Sequence, residues 1–125
     1  MDNERSASIT IGSREFTLIL TTRATKEIAK RYGGLENLGD KLMQTENFEL
    51  ALDEIVWLIT LLANQSILIH NLENPQDKQD VLTEEAVELL TSPLELSTYK
   101  SAIMEAMYKG TKRHVESEPE KGKNL

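Results

Sequence analysis

Two histidines, a pair of adjacent acids, a pair of adjacent glycines and a serine set in an apolar run are the residues of this chain whose types could do chemistry. His70 and His114 lie 44 residues apart. A zinc site read from sequence needs imidazoles at close spacing, such as H-x-x-x-H or H-E-x-x-H on one helix face, and no such pair occurs. Asp53-Glu54 could serve glycoside chemistry only if both carboxylates faced one cleft. Adjacent helix residues point about 100° apart, so a match to a helix N-terminal dipole is the expectation for these two. Gly33-Gly34 and Gly39 do not complete a G-x-x-x-x-G-K-[ST] phosphate loop, and a helix stop accounts for the pair. Ser66 has neither a histidine partner nor a nucleophile-elbow context. The chain has no cysteine, which excludes a disulfide framework, a thiolate zinc site and a cysteine nucleophile. The expectation is a protein with no catalytic centre, no cofactor and no metal.

The element that organises the chain is residues 47–71, NFELALDEIVWLITLLANQSILIHN. It reads as one long helix that is apolar on nearly every side between Ile55 and Ile69. Such a helix must be covered on several sides, so it is the spine of a small bundle or a contact surface for another molecule. Asn64, Gln65 and Ser66 interrupt the run, and its unbroken apolar part is shorter than the roughly 20 residues a bilayer requires. No membrane span is therefore expected. Trp57 suits either the filler of a small core or an interface anchor. Asn64-Gln65 either find buried partners and fix register or partner choice, or face solvent. Candidate partner-binding residues are Trp57, Leu58, Leu61, Leu62, Gln65 and Ile69.

Around this spine the sequence predicts a mainly α fold, a small bundle of about five helices with an N-terminal β-hairpin. Residues 1–7 are read as a flexible lead. Ile9-Thr-Ile11, Gly12-Ser13 and Phe16-Thr-Leu18-Ile-Leu20 alternate and turn as a hairpin does. Two strands alone are marginal in water, so the hairpin packs on its own helices or on another chain's strand. Ile9, Ile11, Phe16 and Leu18 are the self-association candidates. Thr22 is the expected cap of a helix over 23–32 with Ala24, Ile28 and Tyr32 inward, stopped by Gly33-Gly34. A short helix is expected from Leu35 to Met43 with Leu35, Leu38 and Leu42 inward, and Asn47 as the cap of the long helix.

The polar break around Pro75 marks a loop. Thr83 can cap a short helix that carries Glu84 and Glu85 in its first turn. Ser92-Pro93-Leu94-Glu95 matches a capping box with proline at the first helical position. The helix it opens is expected to run to about Lys112, with Leu96, Tyr99, Ile103, Ala106, Met107 and Gly110 on one side. Residues 8–112 are taken as one domain and 113–125 as a disordered polar tail.

The chain's formal charge is −7. Residues 36–54 and 73–88 each hold six acids against one lysine, whereas Arg23, Lys26, Lys30 and Arg31 face only Glu27 in their stretch. An acidic protein repels phosphate backbones, which disfavours nucleic acid as a general partner. The charge runs read as solvated helix faces, with the basic stretch open to an acidic partner or another copy. The start MDNERSAS lacks the basic segment and apolar core of a secretory signal, so a cytoplasmic location is expected.

Two stretches carry a resemblance. Thr21-Thr-Arg-Ala-Thr-Lys-Glu-Ile-Ala-Lys-Arg-Tyr-Gly-Gly-Leu-Glu-Asn-Leu-Gly-Asp40 and Ala51-Leu-Asp-Glu-Ile-Val-Trp-Leu58, continuing to Asn64-Gln65, follow a short hairpin in the order usual in one family. Over about residues 8–110 the chain resembles the small tail assembly chaperones of long-tailed phages and prophages, especially those of Gram-positive hosts. The resemblance implies a non-enzymatic protein of the bacterial host cytoplasm that coats the tape measure protein, recruits tail tube protein and is absent from the finished virion. Self-association is expected separately, through the hairpin edge or the long helix, because a bare hairpin edge invites pairing. The resemblance also implies, for many members, a longer form made by translational frameshift near the C-terminus. It transfers no site residue by position. Two other readings compete: a secretion-type or toxin-neutralising chaperone, and a helix-turn-helix regulator using residues 22–43. The second helix of that motif would bring Glu36 and Asp40 against Lys41, a poor charge for a DNA groove.

Overall fold

Alternation of apolar residues sets the register of the hairpin. The computed structural model describes residues 6–34, 36–38 and 48–123. Strands β1 (Ser6–Ile11) and β2 (Arg14–Ile19) pair antiparallel, with Ile9 opposite Phe16 and Ala7 opposite Leu18. Paired residues share a face, so Ala7, Ile9, Ile11, Phe16 and Leu18 form one apolar surface, and all are buried. Arg14 caps the same face, its guanidinium 4.8 Å from the Phe16 ring centre. The two-residue turn needs a left-handed first position, which Gly12 supplies at φ 63° while Ser13 keeps negative φ. The first strand begins at Ser6 and buries Ala7, two residues expected to lie in the flexible lead.

The hairpin packs on its own helices α2 (Phe48–Glu73) and α4 (Pro93–Lys123). That answers whether it packs within the chain. The side chains of the self-association candidates Ile9, Ile11, Phe16 and Leu18 are buried in their own bundle. A hairpin must bury its apolar face somewhere, and the long helix offers the nearest apolar surface.

Helix α1 (Thr22–Tyr32) is capped one residue earlier than expected. The Thr21 hydroxyl accepts from Ala24 N–H at 3.0 Å. Gly33 ends the helix in the left-handed conformation at φ 88°, its N–H reaching Ala29 C=O at 2.8 Å. Ala24 and Ile28 are buried, with Tyr32 partly covered. Residues 36–38 are helical and Leu38 is fully buried, in line with the short helix expected there. Leu35, Leu42 and the proposed cap Asn47 lie outside the described residues.

Helix α3 (Glu84–Leu90) starts at Thr83, whose hydroxyl accepts from Ala86 N–H at 3.1 Å. The capping box that opens α4 closes reciprocally: Ser92 N–H donates to Glu95 Oε1 at 2.9 Å and Glu95 N–H to Ser92 Oγ at 3.3 Å. Leu96, Tyr99, Ile103, Ala106 and Met107 are all buried, as their spacing requires. The helix is assigned to Lys123, past the expected end near Lys112. The architecture is mainly α, with four helices and the helical stretch at 36–38 behind an N-terminal hairpin among the described residues.

Candidate partner-binding groove

Helix α2 is covered unequally. Ile55, Val56, Leu58, Ile59, Leu62, Ala63 and Ile67 are buried by the hairpin, α1, α3 and α4. Trp57, Leu61 and Leu68 are only half-covered, and Leu72 is 81% exposed. These four recur at spacings of four, seven and four, so they line one stripe along the helix. By length and composition Leu52–Glu73 could cross a membrane. In this fold it is the central helix of the bundle.

The six partner-binding candidates divide accordingly. Leu58 and Leu62 are fully buried in the chain's own interior, and Gln65, 4% exposed, lines the end of the groove described below. A side chain with no accessible surface has nothing to offer a partner unless the fold opens. Trp57, Leu61 and Ile69 stay partly open. Leu68 and Leu72 continue the same stripe and join the set; their spacing from Trp57 and Leu61 is the signal in the sequence that marks them. Arg23 and Lys78 join it too, with no such signal, because only tertiary folding brings them to α2.

The amides inside the apolar helix are both partnered within the chain. Gln65 Oε1 accepts from the Thr21 hydroxyl at 2.5 Å, and its amide nitrogen donates to Leu61 C=O at 3.1 Å. Thr21 thus starts α1 and fastens it to α2. Asn64 bonds the backbone of Leu82 in both directions, at 2.8 Å and 2.7 Å. Ser66 donates to Ala63 C=O at 3.0 Å. Two of these three polar positions therefore hold neighbouring elements in register.

The adjacent acids diverge, as their helical spacing demands. Asp53 is exposed, and Glu54 is buried. Both lie well inside α2, which begins at Phe48, so the expected match to an N-terminal dipole does not apply to them. Glu54 instead accepts from the Tyr32 hydroxyl and lies 3.5 Å from the Arg31 guanidinium. That guanidinium stacks 4.4 Å from the Trp57 ring, which meets Tyr32 edge-on at 6.0 Å. Trp57 is thus a half-covered wall between α1 and α2. The Glu54 carboxylate is held by two donors from α1.

Towards the C-terminal end of α2 the stripe opens into a groove of about 470 Å³. Leu68, Ile69 and Leu72 form its floor, Gln65 one end, and Arg23 and Lys78 its rim. The loop behind it is pinned to the helix. His70 Nε2 lies 2.8 Å from Asp77 C=O, and Asn71 exchanges two hydrogen bonds with the backbone of Gln79 at 3.0 Å and 2.8 Å. A second apolar surface lies around the other end of α2, where Leu89 and Leu94 are 76% and 77% exposed. Among the described residues no group of three or more metal-ligating side chains converges. The arrangement suits burial of an apolar segment. No family model, curated protein or solved structure matches this chain.

Proposed function

We propose that this chain is a non-enzymatic tail assembly chaperone of a phage or prophage, acting in the bacterial host cytoplasm on the tape measure protein and bringing tail tube subunits to it. The observation that carries the reading is the incompletely covered stripe of α2, where Trp57, Leu61 and Leu68 are partly open and Leu72 is exposed. Contiguous exposed apolar side chains mark interaction surfaces. A tape measure protein is a long amphipathic helix that aggregates when bare, and a helix lying in an apolar groove is a general mode of protecting such a stripe. Many copies along one long helix multiply weak contacts by avidity. The resemblance in residues 21–40 and 51–65 suggests the partner, and an incompletely covered apolar stripe supports a helix-binding role.

Co-expression tests the reading. A candidate tape measure protein is expected to stay soluble and to co-purify with this chain, and Leu61→Asp with Leu72→Asp is expected to abolish both effects while the helical circular dichroism persists. Unchanged solubility and no co-purification with the wild-type chain would sink it.

A further inference from the structure

Resting on the reading that the α2 stripe receives a helix, we infer that the segment seated in the Arg23–Lys78 groove is an amphipathic helix whose apolar ridge is flanked by carboxylates. The floor sets the apolar part. Leu68 and Leu72 stand one helical turn apart with Ile69 beside them, a ridge that matches apolar residues at spacings of three and four on a partner helix.

The rim sets the charge. Arg23 and Lys78 are exposed and have no ion-pair partner among the described residues. Among the described residues no carboxylate lines the groove, in a chain that holds 21 acids against 14 bases. The smaller hollow of about 200 Å³ near the start of α2 is the opposite, lined among the described residues by Asp53 and Glu88 and by no cation. Charge is therefore segregated between the two hollows. The groove's amides make no demand on a ligand, since Thr21 holds Gln65 and Gln79 holds Asn71. Electrostatic selection falls to the two cations, and rim charges govern encounter rate, salt dependence and choice of partner.

Two labelled synthetic helices test this, identical in their leucine ridge and flanked by glutamate in one and by lysine in the other. Fluorescence anisotropy with the full chain is expected to show the glutamate helix binding about tenfold or more tightly, with affinity falling as salt rises. The Arg23→Glu/Lys78→Glu double variant, at exposed positions, is expected to invert that preference, and Leu72→Ala to weaken binding of the glutamate helix. Equal binding of the two helices through Leu72 would leave the helix-binding reading standing and overturn the charge assignment. Binding of neither would overturn both. Sedimentation that shows the groove filled by a second copy, released by Leu72→Ala, would overturn the choice of occupant.

Discussion

Asn64 and Asn71 stand two helical turns apart on α2, and each exchanges a donor and an acceptor with the backbone of one extended residue, Leu82 and Gln79 respectively. The two side chains stand in for a neighbouring strand. They hold the segment after Pro75 antiparallel along the helix and so deliver Thr83 to cap α3. Leu82 is partly buried, whereas the Asn71 pair is exposed. Asn64→Ala leaves a part-buried N–H and C=O without partners and is expected to cost about 1–3 kcal/mol. Asn71→Ala, where water replaces the amide, is expected to cost less. Urea unfolding measures both, and faster hydrogen exchange at Leu82 in Asn64→Ala locates the effect. Equal costs at the two sites would contradict this account.

The division of α2 into an inner and an outer side makes opposite demands on its leucines. Leu58→Ala and Leu62→Ala remove fully buried side chains, and each is expected to destabilise the fold by about 2–5 kcal/mol. Leu72→Ala alters an exposed residue and is expected to stay within about 0.5 kcal/mol of wild type. Thermal or urea unfolding separates the classes. A Leu58 variant with unchanged stability would place that residue outside the core.

What can be read from the sequence is local. Ser92 and Glu95 lie three residues apart, so their capping box needs no knowledge of the rest of the chain, and the same holds for Thr83 and for the turn at Gly12-Ser13. The alternation of Ile9, Ile11, Phe16 and Leu18 shows that one hairpin face must be buried, but the identity of the cover is a tertiary fact. The role of Glu54 is not legible because its partners Arg31 and Tyr32 come from another helix, 23 and 22 residues away. Asn64 and Gln65 are legible as polar residues in need of partners, while Leu82 and Thr21 are not legible as those partners. The groove is half visible: its leucines follow helical spacing, and its cations do not.

Trp57 is the only tryptophan and sits against the guanidinium that faces Glu54, so it reports on that cluster. Glu54→Ala removes the acceptor for the Tyr32 hydroxyl and the counter-charge of Arg31. Arg31 is partly open to solvent, so the ion-pair share is small. Loss of the hydrogen bonds is expected to cost about 1–3 kcal/mol. Trp57 emission is expected to shift red and its quenching by acrylamide to increase, because the α1–α2 contact loosens. Glu54→Gln keeps an acceptor and is expected to fall between. Unchanged emission in Glu54→Ala would mean that Arg31 and Tyr32 hold the indole without the carboxylate.

Tyr99 ties α4 to the hairpin, donating its hydroxyl to Thr10 C=O at 2.5 Å across 89 residues of chain. Burial first, and the nearby Glu95 carboxylate second, raise its pKa above the ordinary phenol value. The folded state therefore favours the protonated form, which is also the form that can donate. Its contribution is complete below the unfolded value of about 10 and is lost as pH rises through the higher folded value. Tyr99→Phe is expected to lower stability at neutral pH by about 1 kcal/mol, the net worth of one such bond. Above about pH 10 the wild type is expected to lose stability faster than the variant, so the gap between their urea midpoints closes. Parallel pH profiles would show that the phenol does not titrate against the fold, and a variant more alkali-sensitive than wild type would reverse the assigned direction.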